Sequence, residues 1–384
     1  MRARIAWVAL AVLLLPWGSR AEPRRLVLLL TGDNQGEIAP CGCKQEPQGG
    51  LARRKTAIDA ERARGLPVVL LDAGNALFRE PVARELAAVA PRAELVLEQM
   101  EAQGTVAMAV GQRDVSQGLA YLQKATRARS KKLKLLSANL VDKAGKAPFA
   151  ASMVVEAGGL KVGVVGVSPE GPMPGEPSLK GRPPIEAALA EARKLRKAKK
   201  PDVVVVLAAV PYQEAVKLAI LAGDAVDFVA QSNDAKGIGI GELVGSHAAV
   251  FPTGERGRQL TRLELSVDGP GPSVDLGQVS RKREQLAIVE GNLLEARARL
   301  SNVNDGATRA ELTQTMVELE TRLRQLEAEV EVKPPPEAAR TSCPTSPRGW
   351  RWRMTRRSRP GWRSWSRRAR PPSSPDRTEG NRFR

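Results

Sequence analysis

From residue 25 to residue 268, short apolar runs alternate with longer stretches that are apolar only at every third or fourth position. The short runs, 25–31, 67–72, 105–111 and 133–139, are aliphatic and end in small or polar residues, which predicts buried strands. The stretches between them, 50–64, 82–103 and 115–128, have the length and spacing of helices. Residues 153–157 and 161–167 flank Gly158-Gly159, a hairpin signal. A helix over 185–199, a strand over 202–208, a helix over 212–222 and a strand over 225–230 follow. Three short strands, 241–245, 248–251 and 259–267, close the pattern. The alternation predicts one α/β domain over residues 22–268.

Gly269-Pro270-Gly271-Pro272 breaks the pattern, and a different one takes over in 276–332. Leu286, Val289, Leu293, Ala296 and Leu300 repeat at intervals of three and four, as do Leu312, Met316, Leu319, Leu323, Leu326 and Val330. The turn-forming stretch 301–306 separates them, so a helical hairpin or coiled coil is expected. It serves either as a helix pair packed on its own domain or as a docking or self-association arm.

Composition changes the picture at both ends. Arg2 and Arg4 precede an apolar run over 5–17, and Ser19 and Ala21 supply the small residues of a cleavage site, so residues 1–21 read as a secretory signal peptide. The run is shorter than the roughly 20 residues of a membrane span. No other stretch is apolar enough to cross a bilayer, which places the mature chain in the periplasm or outside the cell. The net charge of +18 is concentrated in residues 333–384, where fifteen basic residues stand against three acidic ones. Four of the six tryptophans lie there too, and the segment reads as a disordered Arg-rich tail that cannot bury a core. Interleaved tryptophan and arginine suit nucleic acid or anionic lipid. The abrupt change of composition is, however, that of a GC-rich gene read out of frame, and no nucleic-acid partner is expected.

The strand ends carry the candidate chemistry. They read Thr31-Gly32-Asp33-Asn34-Gln35-Gly36, Leu71-Asp72-Ala73-Gly74-Asn75 and Gly111-Gln112-Arg113-Asp114. Gly49-Gly50-Leu51-Ala52-Arg53-Arg54, Leu136-Ser137-Ala138-Asn139, the Gly159 to Gly166 run and Gly254-Glu255-Arg256-Gly257-Arg258-Gln259-Leu260 fall around them. In this order and spacing, from about residue 25 to 267, the chain resembles the calcineurin-like metallophosphoesterases, in particular the secreted 5′-nucleotidase branch. The resemblance implies an α/β fold: a two-sheet sandwich with flanking helices, and two divalent metals (Mn, Zn, Fe or Ca) at the strand ends that clamp a phosphoryl oxygen and activate water.

Residue by residue the ligand set departs from that pattern. The family's opening Asp-x-His is Asp33 and Gln35, its bridging aspartate is Asn75, and its Asn-His-Asp/Glu is Gln112, Arg113 and Asp114. Its last histidines fall near Asn233, and a further one near Ala209. Arg113 would repel a dication ~6 Å away by on the order of 5 kcal/mol at an effective dielectric near 20. Neutral amide oxygens bind transition metals poorly. A working pair of metals is not expected. Arg113 and Asp114 stand at vestigial catalytic positions, and Asp33, Gln35, Asn75, Gln112 and Asn233 at vestigial metal positions. Asp33 and Asp114 also read as loop-capping residues. The only histidine, His247, reads as a structural residue.

The first loop also carries Pro40-Cys41-Gly42-Cys43. In an oxidising compartment a Cys-x-Cys pair closes a small, strained ring of the labile kind. Cys41 and Cys43 are therefore redox or soft-metal candidates, or a loop staple. The sequence supports a cell-envelope protein that is a non-hydrolytic binding or redox-linked module, with an anionic small molecule as candidate ligand. An atypical phosphoesterase and a thiol-redox protein are the alternatives.

Overall fold

The computed structural model describes residues 24–40, 48–82, 85–233, 242–243, 247–269, 274–275, 278–303, 305–331 and 349–356. The signal-peptide segment, Cys41, Cys43 and most of the tail lie outside these residues. In chain order the strands are β1 (Arg24–Thr31), β2 (Val68–Asp72), β3 (Thr105–Ala109), β4 (Lys134–Leu136), β5 (Leu140–Val141), β6 (Ser152–Ala157), β7 (Leu160–Val167) and β8 (Gly171–Met173). They continue with β9 (Glu176–Gly181), β10 (Val203–Ala208), β11 (Phe228–Gln231), β12 (Glu242–Leu243), β13 (Ala249–Pro252), β14 (Thr261–Gly269), β15 (Val274–Asp275) and β16 (Gly349–Arg356). The helices are α1 (Leu51–Arg62), α2 (Leu86–Ala102), α3 (Leu119–Arg129), α4 (Pro184–Lys199), α5 (Tyr212–Ala222), α6 (Gln278–Leu300) and α7 (Gly306–Glu331).

Two sheets face each other. One has the order β15-β16-β14-β1-β2-β3-β4, the other β12-β13-β11-β10-β7-β6, and β5-β9-β8 form a small third sheet. In the first, β1 pairs parallel with β2 and antiparallel with β14. In the second, β7, β10, β11 and β13 are all parallel, with α4 on the way from β7 to β10 and α5 on the way from β10 to β11. Period-two alternation decides what each strand buries. Leu26, Leu28 and Leu30 point between the sheets with Val203, Val205, Leu207 and Phe251, whereas Val27 and Leu29 meet Ile58 of α1 on the outside. Val204 and Val206 likewise turn outward to α4 and α5, and α2 and α3 cover the outer side of β3. The result is the expected two-sheet sandwich with helices outside.

Several boundaries differ from the sequence pattern, each for a local reason. The stretch 133–139 is not one strand. Ser137 and Asn139 turn away from β4 to hold Ser168 at the end of β7: the two serine hydroxyls lie 2.8 Å apart, and Asn139 Nδ2 donates to Ser168 O at 2.8 Å. This cluster ties the two sheets together. Helix α3 starts at Leu119 rather than Val115, because residues 112–117 are drawn into turns and Gly118 has φ +87°. Strands β8 and β9 are hidden in the sequence by Gly171, Pro172, Pro174, Gly175 and Pro177, which obscure a strand pattern.

Beyond the domain, α6 and α7 pack on each other through Leu293, Ala296 and Leu326. The two helices are also bridged by Arg297 and Glu320 at 2.8 Å. Composition predicts no element in the tail, yet β16 pairs antiparallel with β14 from Thr261↔Arg356 to Ser266↔Arg351. The signal is present in Trp350-Arg351-Trp352-Arg353-Met354, a strict apolar–polar alternation inside an Arg-rich composition.

Candidate functional site

The loops that leave the C-terminal ends of β1, β2, β3 and β11 meet at one edge of the sandwich, where open α/β sheets usually hold ligands. The first two loops run side by side: Asp33 N donates to Gly74 O at 2.8 Å and Gln35 N to Asn75 O at 3.1 Å. Ser232, after β11, joins them from the other sheet, its hydroxyl donating to Ala73 O at 2.6 Å. Close packing fixes the approach. A Cβ on Gly111 would stand 2.3 Å from Asn75 Oδ1, and one on Gly32 2.5 Å from Thr253 Oγ1.

The structure brings together every described residue that the sequence singled out for this site. Asn75 Nδ2 donates to Ser232 Oγ at 3.3 Å, and Asn75 Oδ1 accepts from Arg113 N at 3.2 Å. Gln112 Nε2 donates to Asn233 Oδ1 at 3.4 Å. The Arg113 side chain is steered by Nε, which donates to Arg79 O at 2.9 Å, and its Nη1 ends 3.6 Å from Asp33 Oδ1. Asp114 takes a different part. Its carboxylate accepts from the backbone N–H of Asn75, Ala76, Leu77 and Gly111 at 2.7–3.1 Å.

The backbone itself marks the site. Asp33, Gln35, Asn75 and Asn233 all have positive φ, at 50°, 55°, 57° and 89°. Among the described residues only two other non-glycine positions share this, Lys200 and Arg256. Such conformations cost about 1–2 kcal/mol in L-residues and gather where a site over-determines them.

No family model and no curated protein sequence matches the chain. Among solved structures it is similar to a 5′-nucleotidase precursor from Thermus thermophilus, with TM-score 0.54 and 24% identity over 63% of this chain and 51% of that one. It is also similar to the sulfate thiohydrolase SoxB of Thermus thermophilus, with TM-score 0.53 and 17% identity over 62% of this chain and 53% of that one. A third is the calcineurin-like phosphoesterase YfkN from Bacillus subtilis, with TM-score 0.51 and 18% identity over 64% of this chain and 86% of that one. The fold is that of the calcineurin-like phosphoesterases. The chain spans about half the length of the first two structures.

Within this phosphoesterase fold the electrostatics separate the two candidate acids. Burial pushes Asp33 up to about 6, against the pull of the Arg113 guanidinium and of a hydrogen bond from Gln35. Burial also pushes Asp114 up to about 7, against the backbone N–H groups that favour its charged form. Asp33 Oδ1 and Arg113 Nη1 face each other without a hydrogen bond to either. Among the described residues no three His, Cys, Asp or Glu side chains gather as a metal cluster. The single histidine, His247, has Nε2 2.9 Å from Asp227 Oδ1.

Sequence reasoning missed the support beneath the site. Asp72 holds Gly74 N at 2.9 Å and Thr31 Oγ1 at 2.7 Å, and fully buried Arg54 of α1 lies 3.9 Å from it. The signal was spacing. Leu51, Arg54, Ile58 and Glu61 share the buried face of α1, and a charged residue on such a face needs a buried partner.

Proposed function

We propose that this chain is an exported, metal-free binding module on a phosphoesterase scaffold, holding a small oxyanion such as phosphate or sulfate rather than hydrolysing an ester. The observation that carries the reading is Arg113 Nη1 at 3.6 Å from Asp33 Oδ1. At the positions where the resemblance puts metals, Asp33 supplies the carboxylate and the rest are amides. Asn75 Oδ1 is engaged by Arg113 N, and Asn233 Oδ1 by Gln112 Nε2. Both oxygens of Asp114 are taken by backbone N–H groups. This donor set does not fit a pair of divalent cations, which need several anionic or imidazole ligands. The Arg113 guanidinium is 21% exposed at the rim, and a guanidinium suits a tetrahedral oxyanion.

Calorimetric titration with phosphate and with sulfate tests this, beside hydrolysis of nucleotides and phosphodiesters with Mn²⁺ or Zn²⁺. Anion binding that disappears in Arg113→Ala, with no turnover, supports the module. Metal-dependent hydrolysis lost in Asp33→Ala would establish the atypical phosphoesterase instead. Export rests on the residue 1–21 pattern. Among the described residues no helix is long and apolar enough to cross a membrane.

A second reading has its own support. The loop that carries Cys41 and Cys43 is pinched at its base, where Leu51 N donates to Ile38 O at 3.1 Å. Beside that base, Gly49 packs on Arg256 and Gly257, and Arg256 N donates to Asp33 O at 2.6 Å. The described residues on either side of the cysteine pair, Ile38 and Gly49 to Leu51, thus stand next to the site, and on that ground a thiol-redox role is proposed for Cys41 and Cys43. A redox titration of Cys41 and Cys43 that shows reversible cycling supports it, and thiols locked in one state under all poises exclude it. The α6–α7 hairpin, with Leu294 and Val317 exposed, is proposed as a self-association or docking arm.

A further inference from the structure

We infer that Gly111 to Asp114, in the loop that follows β3, form a built-in plug in which Arg113 takes the charge position of a cation and bars one from the site. The inference rests on the metal-free reading above and adds what keeps the site that way. Each residue of the plug meets a different element of the site. Gly111 gives the Asn75 amide the space it packs into. Gln112 occupies Asn233 Oδ1. Arg113 engages Asn75 Oδ1 with its main-chain N–H and confronts Asp33 with its guanidinium. Asp114 fastens the plug through the N–H groups of Gly111, Asn75, Ala76 and Leu77. The amide oxygens of Asn75 and Asn233 are thus turned to donors of this one loop, those of Asp114 to N–H groups of two loops, and the charge that confronts Asp33 is positive. The Nε bond to Arg79 O steers the guanidinium toward Asp33.

The plug makes a restoration experiment informative. Asn75→Asp returns a second carboxylate to the site but leaves Arg113 in place. Arg113→Gln combined with Asn75→Asp removes the competing charge as well. Mn²⁺ binding to the full chain is followed by electron paramagnetic resonance. The wild type and Asn75→Asp bind no stoichiometric Mn²⁺, and the double variant binds one ion on the order of a hundredfold more tightly than Asn75→Asp. Arg129→Gln in the Asn75→Asp background, which removes a cation from α3, leaves Mn²⁺ binding unchanged. Should the double variant fold poorly, Arg113→Gln alone is read by melting temperature, which rises with Mn²⁺ while that of the wild type does not. Equal Mn²⁺ affinity in Asn75→Asp and in the double variant overturns the plug and leaves the metal-free reading standing. So does a folded double variant that ignores Mn²⁺. Stoichiometric Mn²⁺ in the wild type overturns the metal-free reading itself.

Discussion

Asp33 and Asp114 are the same residue type, both nearly inaccessible to solvent, both at the C-terminal end of a strand of the same sheet, and they do opposite things. Asp114 is satisfied by four backbone N–H groups drawn from two loops. Asp33 has left-handed backbone, a guanidinium in place of hydrogen-bond donors at Oδ1, and no hydrogen bond to that oxygen. One carboxylate builds the loops. The other is held by them at a strain that its own contacts do not relieve. The difference teaches how a structural acid and a candidate functional acid can be told apart: by what surrounds the oxygen, since burial is shared.

The widest expected separation is in stability. Asp114→Ala strands four buried N–H groups, and denaturant unfolding should report a loss of at least about 3 kcal/mol. Asp33→Ala should change stability by about 1 kcal/mol or less, because a strained φ is relaxed only in part while an imperfect ion pair is lost. Similar losses in the two variants would erase the distinction.

Next in size is pH. Both carboxylates are raised by burial, to about 6 and about 7, above the ordinary aspartate value of 3.8. The folded chain therefore holds protons that the unfolded chain has released. Their contribution is fully present below about pH 4 and is lost as pH rises through about 6 and 7. Unfolding at fixed denaturant should be harder at pH 5 than at pH 8, and Asp33→Asn should flatten the lower part of that slope. A stability that climbs over this range contradicts the assignment. The smallest effect is at Gln35, whose φ of 55° suits glycine: Gln35→Gly should stabilise by about 0.5 kcal/mol, read as a raised unfolding midpoint.

The unbroken aliphatic run from Leu26 to Leu30 carried β1 as a strand buried on both faces, and the resemblance carried the two-sheet sandwich, because such a run leaves no polar face for water. The same rule hid β8 and β9, where proline and glycine outnumber apolar positions, and the unexpected β16, where arginine content outweighed a clean alternation. At the site, the resemblance of the ordered strand-end motifs to the phosphoesterases nominated Asp33, Gln35, Asn75, Gln112, Arg113, Asp114 and Asn233. What each does was not legible. Which oxygens of Asn75 and Asp114 are already engaged depends on where β11 and the β3 loop come to rest, and that is a tertiary fact. Arg54 and Asp72 stood inside the quoted motifs, but their buried pairing depends on how α1 packs on β2, which is a tertiary fact too.

The claim on which the rest depends is that Arg113 and the amides have replaced the metals. Elemental analysis of the purified chain after incubation with manganese and zinc tests it most directly. The account predicts no stoichiometric metal, whether or not a reductant is present. Two ions per chain would contradict it and return the site to the hydrolases whose fold it shares.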